Sequence, residues 1–165
     1  MSRMLAHALF WPTYAWNLLL GRGLHLRHWW NEVHPKVFLG ARPLRQDVAK
    51  LSRLGIRHTI NMCEEFPGPT DLYRTFGIEQ LWLPTCDFQP PSLDSVQAGV
   101  EYIQRAVQNG HGVYIHCKAG RARSATIVLC WLIRYQGMSP QEAQDHLLER
   151  RPHTNRHLLK RQVVK

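Results

Sequence analysis

The stretch that most constrains the fold is residues 112–137, where a hydrophobic segment, a short polar loop and an apolar segment follow one another. GVYIHC (112–117) is typical of a buried β-strand, because it is a short run of mainly apolar residues, several of them β-branched or aromatic. RARSATIVLCWLIRYQG (121–137) is long and very apolar, which favours a helix packed in a core. A strand that leads directly into a helix predicts an α/β domain.

The same alternation extends over most of the chain. Three further short segments predict strands, at 36–40, 56–63 and 78–84. Three segments with helical periodicity predict helices, at 43–55, 92–110 and 139–151. Ser92 and Ser139 are predicted N-caps, and Glu142 would complete a capping box with Ser139. We therefore expect an α/β fold with a mostly parallel central sheet of four to five strands and helices on both faces.

The loop between the predicted strand and helix, HCKAGRARS (116–124), places one cysteine among the cations Lys118, Arg121 and Arg123. Ligands of α/β sheets bind at the carboxyl ends of the strands. A loop there points successive backbone N–H groups inward, and the following helix presents its positive N-terminal end. Gly120 would let the backbone turn and approach a ligand closely. The stretch therefore predicts a cradle for an anion.

A thiol at the centre of such a cradle is expected to be an ionised nucleophile. A free cysteine has a pKa of about 8.5, and a helix N-terminus with nearby cations lowers the pKa into a range of about 3.5–7.5. Arg123 is spaced to reach back over the loop, where its planar guanidinium can hold two phosphate oxygens. Cys117 beside a bound phosphate implies phosphoryl transfer to sulfur, followed by hydrolysis.

This chemistry also needs a group that protonates the leaving oxygen and later deprotonates water. Asp87 is the candidate, because LPTCDFQPP places it just beyond the predicted strand at 78–84, on a neighbouring strand-end loop. Asp94 is the alternative. Its position in the first turn after Ser92 is typical of a carboxylate that stabilises a helix dipole.

His-Cys, five residues, Arg and then Ser or Thr is a signature that this chain shares with the cysteine-based protein tyrosine phosphatase superfamily, which it resembles. The resemblance implies that Cys117 is the nucleophile and that Arg123 binds the phosphate. It further implies that Ser124 assists breakdown of the phosphocysteine, that His116 supports the thiolate and that Asp87 is the general acid. The residues between the cysteine and the arginine are expected to bind the substrate: Lys118, Ala119, Gly120, Arg121 and Ala122.

A more extended resemblance, over about residues 10–152, is to the mitochondrial and plant phosphatidylglycerophosphate phosphatases of the dual-specificity group. The matching segments are FWPTYAWNLLL, RHWWNEV, VFLGARPL, INMCEEF, HCKAGRARSATIV and MSPQEA. This resemblance implies a lipid phosphomonoester substrate and a role in making phosphatidylglycerol and cardiolipin. Lys118 and Arg121 exceed what one phosphomonoester needs, and they would suit a headgroup with a second phosphate. Phosphoproteins and phosphoinositides remain alternative substrates. Two other functions also remain open: a non-catalytic adaptor that binds phosphate groups, and a sulfurtransferase.

Residues 1–30 form an apolar and basic segment ahead of a phosphatase domain predicted at 31–165. Near-helical spacing of apolar residues, followed by arginines and tryptophans, fits a helix at a membrane surface and a helix packed on the domain core equally well. An organellar transit peptide is a third possibility. The net charge of +9 favours acidic partners, for which we expect an anionic membrane rather than nucleic acid. A C-terminal basic run would add to this attraction: Arg150, Arg151, Arg156, Lys160 and Arg161. The expected location is the inner mitochondrial membrane in a eukaryote, or the cytoplasmic face of the inner membrane in a bacterium.

The four cysteines, Cys63, Cys86, Cys117 and Cys130, include no CxxC pair. Their predicted places in strands and a helix do not resemble a disulfide framework, which favours a reducing compartment. Histidines are paired at helical spacing at 25 and 28 and at 153 and 157, but no acidic or thiol ligands cluster beside them. We therefore expect neither a bound metal nor another cofactor.

Overall fold

The computed structural model describes residues 3–24 and 26–164, with side chains from residue 11 onward. The predicted N-terminal segment includes residues 1, 2 and 25, which lie outside the described residues. The strands are β1 (Trp30–His34), β2 (Val37–Gly40), β3 (Ile56–Cys63), β4 (Glu79–Thr85) and β5 (Gly112–His116). The helices are α1 (Arg3–Leu18), α2 (Val48–Arg53), α3 (Thr70–Thr75), α4 (Leu93–Gln108), α5 (Arg123–Gln136) and α6 (Pro140–Arg150).

The strands form one sheet in the order β1-β2-β5-β3-β4. β1 runs antiparallel to β2, whereas the β2–β5, β5–β3 and β3–β4 pairs are parallel. The predicted mostly parallel sheet of four to five strands is therefore confirmed. Parallel pairing brings the carboxyl ends of β5, β3 and β4 to one edge, with β3 in the middle.

Two elements were not predicted from the sequence. The sequence of β1 does not alternate between apolar and polar residues as that of a half-buried strand does, and in the structure only Val33 of β1 is fully buried. α3 has six residues, which is too short for helical periodicity to be visible. The predicted helix at 43–55 divides into a 3₁₀ turn at Arg45–Asp47 and the shorter α2.

Side chains of alternate residues divide the sheet between two layers of helices. Val37 and Leu39 of β2 face the large core that α4, α5 and α6 share, whereas Phe38 points to the opposite face. There Phe38 and Tyr114 of β5 pack with Leu51 of α2. Helices on both faces are thus confirmed, and both cores close over the sheet that carries the strand-end loops.

The helix starts follow the predicted capping chemistry. The Ser92 hydroxyl accepts a hydrogen bond from the backbone N–H of Ser95 (3.2 Å) at the start of α4. At α6, Ser139 Oγ accepts from the N–H of Glu142 (3.3 Å), and the Ser139 N–H donates to Glu142 Oε2 (2.7 Å). This reciprocal pair is a capping box, as the sequence predicted.

The N-terminal helix α1 continues into a π-helical turn at Leu19–Gly23. Its Tyr14 side chain packs against Trp29 and Ala41, and Arg22 forms an ion pair with Asp47 (2.5 Å) at the start of α2. α1 therefore contacts the rest of the molecule through described side chains. Within residues 3–24 and 26–164, no helix combines the length and apolar character needed to cross a bilayer.

Candidate active site

Residues 117–122, here called the cysteine loop, connect β5 to α5 at the carboxyl edge of the sheet. The carbonyls of residues 118–122 each accept a hydrogen bond from outside the loop or from the following helix. The N–H of Arg42 donates to the first of these carbonyls, and the Arg151 guanidinium donates to the next two. The N–H groups of Asn155 and Thr126 donate to the last two. Because the C=O and N–H of a trans peptide point in opposite directions, this pattern turns the N–H groups toward the inside of the loop.

Gly120 is required where the loop packs against the end of β2. Its φ is +64°, and a Cβ at this position would lie 2.3 Å from the carbonyl oxygen of Gly40. No side chain other than hydrogen fits this contact. The glycine therefore holds the loop tightly against the sheet.

Cys117 is buried at the base of the loop. Burial by itself raises the pKa of a thiol, but the Arg123 charge opposes it together with hydrogen bonds from the Ser124 hydroxyl and from the N–H groups of Ser124 and Arg121. The net result lowers the pKa of Cys117 to about 7. The Ser124 Oγ–Cys117 Sγ distance is 3.3 Å. A large share of this thiol is therefore thiolate at neutral pH.

Arg123 is the first residue of α5, and its guanidinium is held by groups from β3 and β4. Nη1 donates to the carbonyl oxygen of Thr85 (2.6 Å) and lies 3.2 Å from Glu65 Oε2. Burial opposes the charge, but the thiols of Cys117 and Cys63 together with the nearby carboxylates raise the pKa of Arg123 above its ordinary value. Arg123 is thus a buried cation fixed beside the thiol.

Glu65 was missed by sequence reasoning. It follows β3 by two residues, just as Asp87 follows β4 by two residues. Because the ends of β3 and β4 are adjacent, both carboxylates meet Arg123 at the same edge. An acidic residue two positions after a predicted strand is the sequence signal that could have identified Glu65, as it identified Asp87.

Asp87 lies on the loop after β4 and is 8% exposed. Its Oδ1 is 3.0 Å from Arg123 Nη2, and its Oδ2 forms an ion pair with Lys118 Nζ. Asp94 is exposed in the first turn of α4, and it forms no ion pair with the other residues that the structure describes. The structure therefore brings Asp87, and not Asp94, to the cysteine loop.

Lys118 is buried, and its ammonium has specific partners. Besides the ion pair with Asp87, Nζ donates to Thr13 Oγ1 of α1 (2.7 Å) and lies 5.0 Å from the centroid of the Phe88 ring. The interpretation of Lys118 as a surplus cation for a second phosphate is therefore revised. Its charge is matched by the carboxylate of Asp87.

His116 is fully buried, and its ring stacks on Tyr114 with 5.6 Å between ring centroids. Burial is the main cause that lowers the pKa of His116 to about 3, and the charges of Arg123 and Arg42 act in the same direction. The imidazole next to Cys117 is thus neutral at physiological pH. Cys63, at the end of β3, is also buried, and burial raises the pKa of its thiol.

All four cysteines of the chain are free thiols in the structure. Within the part of the chain that the structure describes, no three His, Cys, Asp or Glu side chains are grouped so that they could hold a metal ion.

Arg151 follows α6 and is 1% exposed, so its predicted place in a membrane-facing basic run is wrong. Its guanidinium donates to the carbonyls of Gly120 (2.9 Å) and Ala119 (3.1 Å) on one side and to Asn31 Oδ1 (2.6 Å) on the other. Burial lowers the pKa of Arg151 to about 10, so the group stays charged at neutral pH. This cation supports the cysteine loop from behind.

A cavity of about 590 Å³ opens over the cysteine loop. Cys117, Arg123 and Asp87, which are all buried, are among the residues that line it. The described N-terminal residues Thr13, Trp16, Asn17 and Arg27 line another wall, and residues 152–157 complete it. An anion of phosphate size can therefore meet the thiolate, the guanidinium and the carboxylate in one cavity.

A thiol of lowered pKa, a loop of inward N–H groups and a buried arginine, carried at the carboxyl edge of a mostly parallel sheet, define a cysteine-dependent phosphatase. The dual specificity phosphatase catalytic domain matches residues 37–165, and the chain belongs to this family. The recognition made from the HCKAGRARS signature is thereby confirmed.

Similar proteins have been characterised in plants and animals. The chain is 35% identical to phosphatidylglycerophosphate phosphatase PTPMT2 of Arabidopsis thaliana, over 94% of this chain and 70% of that protein. It is 39% identical to phosphatidylglycerophosphatase and protein-tyrosine phosphatase 1 of Homo sapiens, over 84% of this chain and 74% of that protein. A crystal structure of PTPMT1 in complex with PI(5)P superposes with a TM-score of 0.72 at 34% identity, covering 77% of this chain and 86% of that one.

Proposed function

We propose that this phosphatase removes the terminal phosphate of phosphatidylglycerophosphate and so yields phosphatidylglycerol, the lipid from which cardiolipin is made. The observation that carries the chemistry is the placement of Cys117, Arg123 and Asp87 around one cavity. The choice of substrate is supported by the relatives named as phosphatidylglycerophosphate phosphatases, one of which matches 94% of the chain.

In the first step the Cys117 thiolate attacks phosphorus in line with the bond to the glycerol oxygen. A sulfur–phosphorus bond forms, the phosphorus–oxygen bond breaks, and Asp87, which enters this step in its protonated form, gives its proton to the leaving oxygen. The Arg123 guanidinium and the inward N–H groups of the cysteine loop hold the equatorial oxygens, where negative charge is concentrated in the transition state.

In the second step a water molecule attacks the phosphocysteine. The Asp87 carboxylate takes a proton from this water as the new phosphorus–oxygen bond forms. The sulfur–phosphorus bond breaks, and the departing thiolate is stabilised by the hydrogen bond from Ser124 and by Arg123. Inorganic phosphate leaves and the enzyme returns to its starting state.

A second substrate class is favoured by one observation. The PTPMT1 structure that resembles this chain has PI(5)P bound, so a phosphoinositide is the alternative lipid. The human relative is also named a protein-tyrosine phosphatase, which makes phosphotyrosine peptides the third class to compare.

The enzyme is proposed to act at an anionic membrane surface. Six of the eleven large apolar side chains that are exposed among the described residues lie in the N-terminal segment or in the loop after β4: Trp11, Trp16, Leu19, Leu24, Leu26 and Phe88. Trp16 and Phe88 also line the cavity. Together with a net charge of +9, these exposed side chains suit the interface of a bilayer that contains acidic lipids. The proposed location is the inner mitochondrial membrane in a eukaryote, or the cytoplasmic face of the inner membrane in a bacterium.

The proposal is tested with kcat/KM values on phosphatidylglycerophosphate, phosphoinositides and phosphotyrosine peptides. We expect phosphatidylglycerophosphate to give the highest value. Cys117→Ser should abolish turnover of every substrate, and Asp87→Ala should lower kcat by about 10²–10⁴-fold. Asp94→Ala, which removes the exposed carboxylate of α4, is the matched control and should retain activity. Turnover by the Cys117→Ser protein would refute the phosphocysteine route, and a preference for peptides would refute the lipid substrate.

A further inference from the structure

Among the described residues, four of the arginines that line the cavity form no ion pair with a carboxylate: Arg27, Arg121, Arg156 and Arg161. Of these, Arg161 donates to Thr126 Oγ1 (2.8 Å), and Arg27 and Arg121 are the pair considered next. Arg27 precedes β1 and Arg121 belongs to the cysteine loop, and both line the cavity. Deeper in, Arg123 pairs with Glu65 and Asp87, and Lys118 pairs with Asp87. Among residues 3–24 and 26–164, by contrast, no carboxylate oxygen lies within ion-pair distance of Arg27 or Arg121.

The two arginines are close enough to affect each other. Partial burial is the first cause that lowers the pKa of Arg121, and the charge of Arg27 is the second. Burial, followed by the charges of Arg151, Arg27 and Arg121, lowers the pKa of His153 to about 3. The cavity wall thus holds a neutral His153 near several positively charged arginines. A bound anion would offset the repulsion among these charges.

The buried Arg151 links the two chain segments that carry these arginines. Its guanidinium donates to the carbonyls of Ala119 and Gly120 in the cysteine loop, and also to the carbonyl of His28 (3.2 Å), next to Arg27. The Arg121 Nε–H donates in turn to the carbonyl of His153 (2.8 Å). The segment that carries Arg27 and the loop that carries Arg121 are therefore tied to one buried group.

We propose that Arg27 and Arg121 form a second anion subsite, which binds the phosphodiester of a substrate whose phosphomonoester lies on the cysteine loop. This inference rests on the proposed function and names the part of the headgroup that the outer cavity recognises. A phosphodiester has two non-bridging oxygens that share one negative charge, and a guanidinium can donate to both. The second anion is thus assigned to Arg121 and Arg27, whereas the sequence alone pointed to Arg121 and Lys118. Arg27 lies outside residues 37–165, which the phosphatase domain matches.

The test uses two water-soluble substrates, so that membrane binding does not enter. Glycerophosphoglycerophosphate carries a phosphodiester and a phosphomonoester, whereas glycerol 3-phosphate carries the monoester alone. We expect Arg27→Gln to lower the ratio of kcat/KM for the first substrate over the second by about tenfold, mainly through KM. Arg53→Gln, which removes an exposed arginine at the end of α2, is the control and should leave the ratio unchanged.

Binding of glycerophosphoglycerophosphate to the Cys117→Ser protein, measured by calorimetry, separates the subsite from the proposed function. Here Arg27→Gln should raise Kd about tenfold relative to Arg53→Gln. If the wild-type enzyme does not hydrolyse this compound but Arg27→Gln still weakens its binding, the subsite stands and the proposed substrate is wrong. If the wild-type enzyme prefers the diester-bearing substrate and Arg27→Gln changes neither the ratio nor Kd, the substrate stands and the subsite is overturned.

Discussion

Opposing effects act on the thiol of Cys117. Burial disfavours the thiolate, whereas the charge of Arg123 and the hydrogen bond from Ser124 favour it, and the balance gives a pKa of about 7. One unit of pKa corresponds to about 1.4 kcal/mol of difference between the two protonation states. A single hydrogen bond to a charged group, worth about 1.5–3 kcal/mol, can therefore decide whether the thiol is ionised at neutral pH.

This balance predicts the pH dependence of Cys117 reactivity. The rate of alkylation by iodoacetamide should fall as the pH drops through about 7, because only the thiolate reacts. Ser124→Ala removes the hydroxyl donor, so the inflection should move to higher pH by about one unit. Mass spectrometry of the Cys117 peptide after timed alkylation measures the rate separately from the other thiols.

Ser124→Thr is the control for this shift, since it keeps a hydroxyl at the same position. Its inflection should stay close to that of the wild-type enzyme. An inflection in Ser124→Ala that coincides with the wild-type value would show that the hydroxyl does not influence the thiolate.

At the scale of elements, the loop after α6 supports the loop before α5. Arg151 joins the cysteine loop to the segment at residues 28–31, and it is the donor for two carbonyls of the loop, those of Ala119 and Gly120. Its neighbour Arg150 is exposed at the end of α6. Two adjacent arginines thus have very different surroundings, which makes them a matched pair for experiment.

Arg151→Met should lower the free energy of unfolding by about 3–5 kcal/mol, because several buried carbonyls lose a charged donor. Arg150→Met should change it by less than about 0.5 kcal/mol. Urea denaturation followed by tryptophan fluorescence gives both values. Arg151→Lys keeps the charge but not the planar set of donors, and it should fall between the two. Equal stability of the two Met variants would contradict the anchoring role.

At the scale of the whole molecule, the N-terminal segment carries several exposed apolar side chains, and its residues Trp16 and Arg27 line the cavity. Leu24 is 54% exposed and follows the π-helical turn. Leu54 is 47% exposed but immediately precedes Gly55 and β3, at the amino edge of the sheet. The two leucines are alike in size and exposure, but Leu24 belongs to the N-terminal segment that also lines the cavity, whereas Leu54 lies at the opposite edge of the sheet from the cysteine loop.

Leu24→Ala should weaken binding to vesicles that contain phosphatidylglycerol by about tenfold, because burial of a leucine side chain contributes about 1.5–3 kcal/mol. Leu54→Ala should leave vesicle binding unchanged. Co-sedimentation with vesicles measures both, and added salt should weaken the binding of every variant, since the enzyme carries a net charge of +9. Equal loss in the two variants, or tight binding to purely zwitterionic vesicles, would argue against the proposed orientation.

Much of the fold could be predicted from the sequence because its signals are local. β3 and α5 are recognisable from runs of apolar residues, and the capping box at Ser139 needs only four consecutive residues. β1 could not be predicted in this way. It is an edge strand with a single buried residue, and its pairing with β2 decides its structure.

The α/β class and the chemistry of the cysteine loop follow from the sequence, because both depend on residues close together in the chain. The role of each cation follows from the folded arrangement instead. Lys118 meets Asp87 across 31 residues of sequence, and Arg151 reaches the carbonyl of His28 across 123. Such distant contacts decide whether a cation forms an ion pair with a carboxylate, donates hydrogen bonds to carbonyls or remains available to a ligand. They therefore set the charge of the cavity.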